Sequence, residues 1–456
     1  MYDITIVGCG ISGLFLALCL KKTMKEVNIL MLDKGVELSS RLCPMQTNNL
    51  PSCLNCSICH KYSGFGGLGM SEGKYNYSLK FGGNLVEKIG EQHGEYYLQK
   101  VDTYLTELGG EKAPYYSTHN PFTKVPHNTE IITTSVRHLG TELSINILDN
   151  MYRLLKQSVR FEFCQTVLNV EKDKDSFLVH TDKSSFLSKK VVIATGNSGY
   201  AEFGNICENL GIIATKKRID FGLRIELLNE QLCEILQDTF EIKVAYKDNK
   251  IDCMTYCMNP AGRVVKRNQN GFTFTDGQNN KEFSALSKNA NFAVLVSKYF
   301  IPDEGNKYYQ QVMKKLNQKN NRLVVQRLGD LYLNRPTSEE QLRNNTVIPS
   351  LMCESGNLYD EVPTECINGA LKLLSLIQEM SNTAVSSDTL LYGLDAKIYP
   401  SEIEIDSNFE TLHKGLFVIG DCSGFTNSLS HAAATGLFLG DYICKEAMFL
   451  SHERGL

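Results

Sequence analysis

Three glycines and one acid near the start of the chain have the spacing of a nucleotide-binding loop. Gly8, Gly10 and Gly13 lie between a β-branched segment and an apolar segment. In such a loop the first glycine permits a tight turn, the second lets the backbone approach a pyrophosphate, and the third allows a helix to pack on the sheet. Asp33 follows a second apolar segment, where a carboxylate accepts hydrogen bonds from ribose hydroxyls and disfavours a 2′-phosphate. These residues predict a site for a dinucleotide other than NADP.

Two later segments are predicted to return to the same site. The first is a strand that ends in the small residues Ala194, Thr195 and Gly196, and the second is a strand that ends in Gly420 and Asp421. Both are typical of the places where flavoproteins return to FAD, and the acid suits the ribityl or pyrophosphate part. A helix rich in small residues follows, and its positive N-terminus would stabilise a reduced flavin. The combination favours FAD over NAD.

Further cofactor contacts are predicted from the positions of residues along these elements. Residues in the first helical turn offer free N–H groups to phosphates, and glycines let the backbone pass close to a flat ring. Residue 167 is predicted to contact adenine through its backbone. These predictions add Ile11, Ser12, Lys34, Arg41, Gly66, Gly67, Val167 and Ser430 to the cofactor site.

Four cysteines form a second candidate site. Cys53, Cys56 and Cys59 recur at every third position, and Cys43 lies upstream of them. Thiolates this close suit Zn²⁺ or an iron–sulfur cluster, because these metals prefer soft ligands. Two alternatives stay open: a redox-active cysteine pair near the flavin, and thiols that only pack in the loop. The spacing matches neither a zinc ribbon nor a ferredoxin completely.

Three side chains are candidates for catalysis, each with a structural alternative. His431, at the start of the last helix, is a candidate proton donor or a packing histidine. Arg224 shares a strand face with Glu226 and could bind a substrate carboxylate or form a structural ion pair. Lys74 follows the glycine-rich segment and could neutralise the flavin or a substrate anion, or be a solvated surface lysine.

The elements that must position these residues are typical of a dinucleotide-binding fold. Residues 3–7 and 27–32 are predicted as parallel strands around a helix at residues 14–21. Two further strands, at residues 159–163 and 167–170, are predicted to form a return hairpin. The nucleotide-binding domain is therefore expected to be discontinuous in sequence.

The segment from residue 205 to residue 395 has a different pattern, with short alternating stretches separated by turn residues. This pattern predicts an antiparallel sheet or a small barrel. The predicted strands are 222–227, 240–246, 251–258, 263–265, 272–275 and 292–296, and the predicted helices are 308–317, 322–329 and 368–381. We expect the inserted segment to cover the flavin and bind a substrate, because small-molecule pockets favour domain interfaces.

The predicted fold class is α/β. It consists of a discontinuous Rossmann-type FAD-binding domain with an inserted antiparallel β-rich (α+β) substrate domain. The FAD-binding domain is predicted to comprise residues 1–204, with a cysteine- and glycine-rich loop at 41–74, and residues 396–456. The insertion is predicted at residues 205–395.

The composition argues against several functional classes. With 42% hydrophobic and 21% charged residues, the 456-residue chain has the composition of an ordered protein with two or three lobes. A net charge of −4 offers no basic surface, so no nucleic-acid partner is expected. No apolar run reaches the roughly 18 residues that a membrane span needs. The 15 cysteines are expected to be reduced, in the cytoplasm; the oligomeric state stays open.

Several motifs together resemble those of a known family. They lie at residues 41–44, 53–59, 64–74, 220–226, 256–262 and 415–421. In these the chain resembles, over nearly its whole length, the largely uncharacterised bacterial family of FAD-dependent dehydrogenases. Glu72, Asn259, Ala261 and His431 depart from the residues more usual in that family. The resemblance implies a bound flavin and does not identify a substrate.

The functional hypothesis is an FAD-dependent oxidoreductase. It would transfer a hydride between the flavin and a small organic substrate, with reduction of an activated C=C bond as one candidate reaction. The sequence has no second glycine triplet, so NAD(P)H would bind only transiently as an electron donor. The alternatives are a flavin monooxygenase or oxidase, and a flavin- or metal-binding assembly protein without turnover.

Overall fold

A computed structural model describes the chain except for residues 49–53, 55, 118, 233–234, 236–241, 270, 279–286, 382 and 454–456. The chain divides into two compact units. The first comprises Met1–Tyr115, Ser135–Lys216 and Tyr399–Leu456, and the second comprises Tyr116–Thr134 and Lys217–Ile398. Each unit has a large hydrophobic core of its own.

The described strands are, in chain order, β1 Tyr2–Val7, β2 Ile29–Leu32, β3 Lys74–Asn76, β4 Tyr115–Tyr116, β5 Thr129–Ile132, β6 Val136–His138, β7 Val159–Glu162, β8 Val167–Asp173, β9 Ser176–Thr181, β10 Ser185–Ile193, β11 Ala214–Leu228, β12 Lys243–Lys247, β13 Asp252–Asn259, β14 Arg263–Gln269, β15 Phe272–Gln278, β16 Asn289–Phe300, β17 Val324–Arg327, β18 Glu354–Ser355, β19 Leu390–Ile398, β20 Glu402–Ile403 and β21 Leu416–Val418. The described α-helices are α1 Ile11–Thr23, α2 Pro44–Thr47, α3 Leu85–Ile89, α4 Glu91–Glu107, α5 Thr141–Leu155, α6 Tyr200–Leu210, α7 Pro302–Gln318, α8 Leu328–Tyr332, α9 Glu339–Arg343, α10 Thr364–Ser381 and α11 Leu429–Glu453. In the part of the chain that is described, no helix has the length and apolar character to cross a bilayer.

The first unit contains the parallel sheet that the sequence predicts. β1 lies between β2 and β10, β7 lies outside β2, and β21 pairs with the second half of β10. The strands are apolar along both faces because helices cover them, as in α/β proteins of the Rossmann type. Since all five strands are parallel, the turns that follow them lie at one edge of the sheet.

The hairpin of this unit is formed by β8 and β9, which continue the sheet from the first half of β10. The predicted hairpin between residues 159–163 and 167–170 is wrong, because β7 pairs in parallel with β2 instead. The physical reason lies in the connection: the N–H groups of Cys164 and Gln165 bond to the carbonyls of Gly35 and Asp33. These bonds lead the chain across the sheet edge rather than back along β7.

The second unit is built on a mostly antiparallel sheet with the order β18-β17-β19-β11-β16-β13-β12-β5. Along β11 the side chains alternate between two faces. Ile219, Phe221 and Leu223 belong to the apolar core of the unit, which also contains residues of α10. Asp220 and Arg224 belong to the opposite face and are nonetheless buried. The sheet therefore has one apolar and one polar face, and both are shielded from water.

Two features of the second unit differ from the prediction. Residues 322–329 do not form one helix: Val324–Arg327 is the strand β17, paired with β19, because its β-branched side chains are buried in the sheet. The boundaries also differ. β5 was predicted in the first domain, yet it pairs with β12, and the predicted boundary at residue 395 falls inside β19.

Candidate functional site

The turn after β1 leaves no room for side chains at two of its glycines. Gly8 has a φ of 109°, and a Cβ on it would lie 2.4 Å from the carbonyl oxygen of Ala194. A Cβ on Gly13 would lie 2.5 Å from the carbonyl oxygen of Gly8. At Gly10, by contrast, the nearest described atom would lie 4.0 Å from the Cβ. Gly8 and Gly13 therefore serve close packing, while space remains beside Gly10.

Helix α1 begins at this turn without a side-chain cap. Its N-cap residue is Gly10, whose carbonyl accepts a hydrogen bond from the N–H of Leu14 at 2.9 Å. The N–H groups of the first turn, at Ile11, Ser12 and Gly13, have no acceptor within the helix. Free N–H groups and the positive end of the helix dipole together suit a pyrophosphate.

A glycine-rich segment crosses directly over this turn. The N–H of Gly66 donates to the carbonyl of Cys9 at 2.7 Å, and a Cβ on Gly67 would lie 3.2 Å from the Cα of Gly10. Gly66 and Gly67 both have positive φ, at 87° and 50°. The segment therefore passes the turn after β1 at backbone distance, and its positive φ values favour glycine at both positions.

Arg41 organises the glycine-rich segment from inside the protein. Its side chain is 1% exposed and donates to the carbonyls of His60, Lys61, Phe65 and Gly67 at 2.7–3.0 Å. Burial lowers the pKa of the guanidinium to about 10, and the nearby Asp33 opposes that shift. Arg41 was predicted to contact the cofactor directly. The structure gives it four carbonyl partners in the protein, and the predicted contact of Arg41 with the cofactor stays a prediction.

Asp33 links three separate segments at the end of β2. Its Oδ2 accepts from the N–H of Cys9 at 2.8 Å, and its Oδ1 accepts from Gly35 at 2.8 Å and from Gly64 at 3.0 Å. Burial raises the pKa of the carboxyl, and these three N–H groups oppose the rise. A carboxylate has about four acceptor positions, so most of this capacity is used inside the protein. The predicted contact of Asp33 with a ribose stays a prediction.

The turns after β10 and β21 share one backbone conformation. Gly196 has φ 60° and ψ −162°, Gly420 has φ 71° and ψ −163°, and each precedes a single turn of 3-10 helix. Among the described residues, the buried Oγ1 of Thr195 has no hydrogen-bond partner. A Cβ on Gly420 would lie 2.5 Å from the Oγ of Ser12. The turn after β21 therefore closely approaches the first turn of α1.

Among the described residues, Asp421 has fewer hydrogen-bond partners than Asp33. Its Oδ1 accepts a hydrogen bond from Oγ1 of Thr426 at 2.7 Å. Burial raises the pKa of Asp421 to about 7, and the hydrogen bond from Thr426 only partly opposes this. Most acceptor positions of Asp421 are therefore available to the hydroxyl groups of a ligand.

The first turn of α11 carries two buried polar side chains. Ser430 and His431 are both fully buried, and neither Ser430 Oγ nor His431 Nδ1 has a hydrogen-bond partner in the described part of the chain. The other ring nitrogen, Nε2, lies 2.9 Å from the carbonyl oxygen of Ser78 and donates to it. Burial lowers the pKa of His431 to about 4. The ring is therefore neutral near pH 7, which argues against the proton-donor role and favours packing.

Helix α11 packs tightly against α1. A Cβ on Gly436 would lie 2.2 Å from the carbonyl oxygen of Ser12, and one on Gly440 would lie 2.8 Å from the Cβ of Cys19. Close helix packing of this kind needs small residues at the contact. The first turn of α1, which offers the free N–H groups, is thus held by α11.

Lys34 and Val167 lie at the same sheet edge. Lys34 donates to the carbonyl of Ser198 at 2.8 Å and pairs with Glu202 at 2.6 Å, so its ammonium joins the ends of β2 and β10. Val167 begins β8 and is buried. Next to them is a cavity of about 300 Å³, lined by Lys34, Gly35, Val36, Ile58, His60, Ser63, Cys164, Thr166, Asp182 and Lys183. Lys34 lines this cavity and Val167 follows the lining residue Thr166. The predicted cofactor contact of Lys34 and the predicted adenine contact of Val167 stay predictions.

The cysteine site is only partly described. Cys43 and Cys59 are half-buried and Cys56 is exposed, whereas Cys53 lies outside the described residues. The described residues contain no group of three histidine, cysteine or acidic side chains placed to hold a metal ion. The prediction of Zn²⁺ or an iron–sulfur cluster at these cysteines is therefore not supported by the residues that are described.

The other candidate catalytic residues lie elsewhere. Arg224 forms ion pairs with Asp395 at 3.1 Å and Asp276 at 3.3 Å, in the second unit. The carboxylate of Glu226 instead accepts hydrogen bonds from Tyr392, Asn289 and Ser350. The predicted Arg224–Glu226 pair therefore does not form. The ion-pair alternative therefore describes Arg224 better than substrate binding. Lys74 lies in β3, opposite His138 of β6.

Sequence reasoning missed three residues of the second unit. Lys243, Tyr256 and Lys397 lie on β12, β13 and β19, and their side chains converge on the polar face of the sheet. Single lysines in alternating strands are ordinary surface residues, so the sequence held no signal for this cluster. In the first unit it also missed Gly64 and Thr426, the partners of the two aspartates.

Comparison with known proteins gives only distant likenesses. No family model matches the chain, and no curated protein does. Among solved structures, the chain is similar to a glycine oxidase from Geobacillus kaustophilus (11% identity, 98% of this chain and 95% of that chain, TM-score 0.40). It is also similar to a quinol fumarate reductase FrdA variant from E. coli (12% identity, 98% of this chain and 70% of that chain, TM-score 0.41). A third similar structure is CtdE in complex with FAD (10% identity, 98% of this chain and 84% of that chain, TM-score 0.36). Likenesses this weak establish neither a family nor an activity.

Proposed function

We propose that this chain is an FAD-dependent oxidoreductase that moves a hydride between the flavin and a small organic substrate. The observation that carries the proposal is the meeting of three turns at one sheet edge. These are the turn after β1, the turn after β10 and the turn after β21, which closes on Ser12. Ligands of parallel α/β sheets bind beyond the carboxyl ends of the strands.

The residues at this edge fit FAD better than a shorter ligand. The N–H groups of Ser12 and Gly13, in the first turn of α1, suit the pyrophosphate, while Ile11 adjoins the bridge between Gly10 and Gly66. Buried oxygens without partners, at Thr195 and Ser430, and the under-used carboxylate of Asp421 extend the polar surface beyond the pyrophosphate site. Buried polar groups normally have partners, so these three positions support a ligand that reaches from β1 to the start of α11. FAD held there would supply hydride transfer at its flavin ring.

The chain's own residues would position the cofactor and exclude water from it. Gly66 and Gly67 cover the pyrophosphate turn, and Arg41 fixes them in place through four carbonyl hydrogen bonds. The neutral ring of His431 packs at the start of α11 without adding a positive charge. The electron donor and the organic substrate are proposals at the level of class only: NAD(P)H as a transient donor, and a small molecule as the substrate.

The first test is flavin content in Gly10→Ala. At Gly10 a Cβ meets no described atom closer than 4.0 Å, and the residue has an ordinary φ of −76°. The variant should therefore fold, while the new methyl group blocks the close approach of a pyrophosphate. We expect FAD affinity to fall by about tenfold or more, measured by titration of the flavin-free protein.

The matched control is Gly204→Ala, in α6. A Cβ there also meets no described atom within 4 Å, and the variant should bind FAD like the unmodified protein. Wild-type protein that neither contains nor binds FAD would overturn the proposal, as would equal affinity in the two variants.

Anaerobic mixing with NADH and NADPH then tests the electron donor by loss of flavin absorbance. Rapid reoxidation by oxygen would identify an oxidase or a monooxygenase instead.

A further inference from the structure

Four separate stretches of chain line the cavity of about 300 Å³ at the end of β2, and all of them belong to the first unit. The lining residues lie within 34–36 after β2, 58–63 in the cysteine- and glycine-rich loop, 164–166 between β7 and β8, and 182–183 between β9 and β10. A Cβ on Gly35 would lie 2.4 Å from the backbone nitrogen of Gly64, so the loop packs directly on the end of β2. The carbonyl of Gly35 also accepts a hydrogen bond from the N–H of Cys164 at 2.9 Å. The cavity is therefore built where distant parts of the chain meet.

The cavity adjoins the acid that follows β2. In dinucleotide-binding folds the pyrophosphate lies at the first turn of the helix after the glycine loop, and the acid after the second strand faces the adenosine ribose. Here that acid is Asp33, and the lining residues Lys34 and Gly35 follow it directly. The N–H of Gly35 donates to Asp33 Oδ1 at 2.8 Å. A dinucleotide that runs from α1 past Asp33 would therefore bring its base to this cavity.

The size and the lining of the cavity suit a single base. Pockets for whole small-molecule ligands have volumes of roughly 300–1,000 Å³, so this cavity is at the small end of that range. Val36 and Ile58 provide apolar surface for the faces of a ring, while Ser63, Thr166 and His60 provide polar atoms for its edge. Proteins hold a base in this way, between apolar side chains and with hydrogen bonds along its edge.

His60 has a buried ring nitrogen that the described part of the chain leaves without a hydrogen-bond partner. This nitrogen is Nδ1, and the residue lines the cavity. Buried polar atoms normally have partners, and Nδ1 can donate or accept a hydrogen bond, depending on the tautomer. The backbone of His60 is held independently, because its carbonyl accepts from Nε of Arg41 at 3.0 Å. The loop therefore carries an imidazole with unused hydrogen-bonding capacity on a fixed backbone.

We propose that His60 is a specificity residue of the cofactor site and that its ring nitrogen recognises the adenine of FAD by a hydrogen bond. This inference rests on the proposed function, because the path from α1 past Asp33 is that of a bound dinucleotide. It gives the cysteine- and glycine-rich loop a role that needs neither a metal nor a reactive thiol. Residues 58–63 form one wall of the adenine pocket, and Arg41 fixes their position through the carbonyls of His60 and Lys61.

The test is isothermal titration calorimetry of the full-length, flavin-free protein with FAD, ADP and FMN. His60→Leu removes the ring nitrogens, so it should weaken the binding of FAD and of ADP by about tenfold or more, because the edge of the base loses its partner. The affinity for FMN, which has no adenine, should not change. His60→Asn keeps a polar group near the position of Nδ1 and should lose less affinity for ADP than His60→Leu.

Nuclear magnetic resonance of ¹⁵N-labelled histidine rings in the unmodified protein is the second measurement, and it decides the matter if His60→Leu does not fold. ADP should shift one imidazole nitrogen signal, and this signal should be missing from the spectrum of His60→Asn. FMN should leave it in place. A histidine spectrum that ADP does not change would overturn the proposal.

His93→Leu is the matched control. His93 is exposed on α4, outside the residues that line the cavity, and its Nδ1 lies 3.0 Å from the carbonyl oxygen of Ile89. All three affinities should be unchanged in this variant. Unchanged ADP binding in His60→Leu, or equal weakening of FAD and FMN, overturns the role of His60 and leaves the proposed FAD site intact. Protein that binds ADP through His60 but does not bind FAD overturns the oxidoreductase proposal alone, and protein that binds neither overturns both.

Discussion

Two aspartates at the same sheet edge, Asp33 after β2 and Asp421 after β21, have opposite surroundings. Asp33 accepts three backbone N–H groups from three different segments. Asp421, among the described residues, accepts one hydroxyl from Thr426. Burial raises the pKa of both. An acid at a strand end is therefore not by itself a ligand contact, because its protein partners decide how many acceptor positions remain for a ligand.

Because their partners differ, replacement of the two aspartates should have different effects on stability. Asp33 joins the turn after β1 to the glycine-rich segment, so its replacement should mainly lower the free energy of unfolding. Among the described residues, Asp421 leaves most acceptor positions unused at a half-buried site, so its charged carboxylate should cost stability in the absence of a ligand. Three substitutions test this contrast: Asp33→Asn, Asp421→Asn and Thr426→Val.

Asp33→Asn should cause the largest change. The amide group keeps one acceptor oxygen but presents an NH₂ group to one or more of the three N–H donors. Hydrogen bonds to charged groups contribute roughly 1.5–3 kcal/mol each. Burial raises the pKa of Asp33, so removal of the charge offsets part of that loss, and we expect the free energy of unfolding to fall by about 3 kcal/mol. Urea-induced unfolding measures it. The control is Asp182→Asn, since Asp182 is exposed and accepts one N–H, from Thr166. Similar losses in the two variants would contradict the contrast.

Asp421→Asn should change stability in the opposite direction. Because the folded pKa of about 7 lies above the ordinary value of 3.8, the buried charge destabilises the fold fully above pH 7, and this penalty disappears as the pH falls toward 3.8. Flavin-free Asp421→Asn should therefore be more stable than the unmodified protein at about pH 8, by about 2 kcal/mol, and equal to it at about pH 4. Its affinity for FAD should fall.

Asp441→Asn is the control for the predicted stabilising effect of Asp421→Asn. Asp441 accepts from Lys100, Tyr97 and Cys19, and although burial acts to raise its pKa, these partners lower it overall. Replacement should therefore destabilise the protein near pH 7, most of all where the carboxylate is charged. If Asp421→Asn is also destabilising at about pH 8, Asp421 is a structural acid like Asp33 and the contrast is lost.

Thr426→Val should have the smallest effect. It removes the hydroxyl that donates to Asp421, so the pKa of Asp421 should rise further, by less than about one unit. Infrared difference spectroscopy of the carboxyl band against pH measures the shift. Thr435→Val is the control, because Thr435 bonds to the N–H of Gly420 and not to Asp421. A fall in the pKa of Asp421, or an equal shift in the control, would contradict the assignment.

The parts of the site that depend on local spacing could be predicted from the sequence. The turn with Gly8, Gly10 and Gly13 lies between β1 and α1 as expected, because the strand, the glycine spacing and the helix can all be recognised from adjacent residues. The close contact of Gly8 with Ala194 joins distant parts of the chain and is not evident from that spacing. The partners of Asp33 and Arg41 could not be predicted. Gly64 lies 31 residues from Asp33, and the carbonyls that bind Arg41 belong to a loop without a periodic pattern.

The errors in the fold have the same origin. Val324–Arg327 was predicted as part of a helix, and only its pairing with the distant β19 makes it a strand. β7 pairs with β2 across more than a hundred residues, while its neighbour in sequence, β8, lies at the other side of the sheet. The converging Lys243 and Lys397 depend on the order of strands in the sheet, which no local pattern determines.

The tight contact between α1 and α11 has a consequence for the time course of biosynthesis. The two helices are separated by roughly 400 residues of chain. A ribosome adds roughly 5–20 residues per second, so α1 emerges about 20–80 seconds before its partner. During that interval the apolar surface that Gly436 and Gly440 later cover is open to chaperones. The proposed binding of FAD at the first turn of α1 is therefore expected after synthesis, not during it.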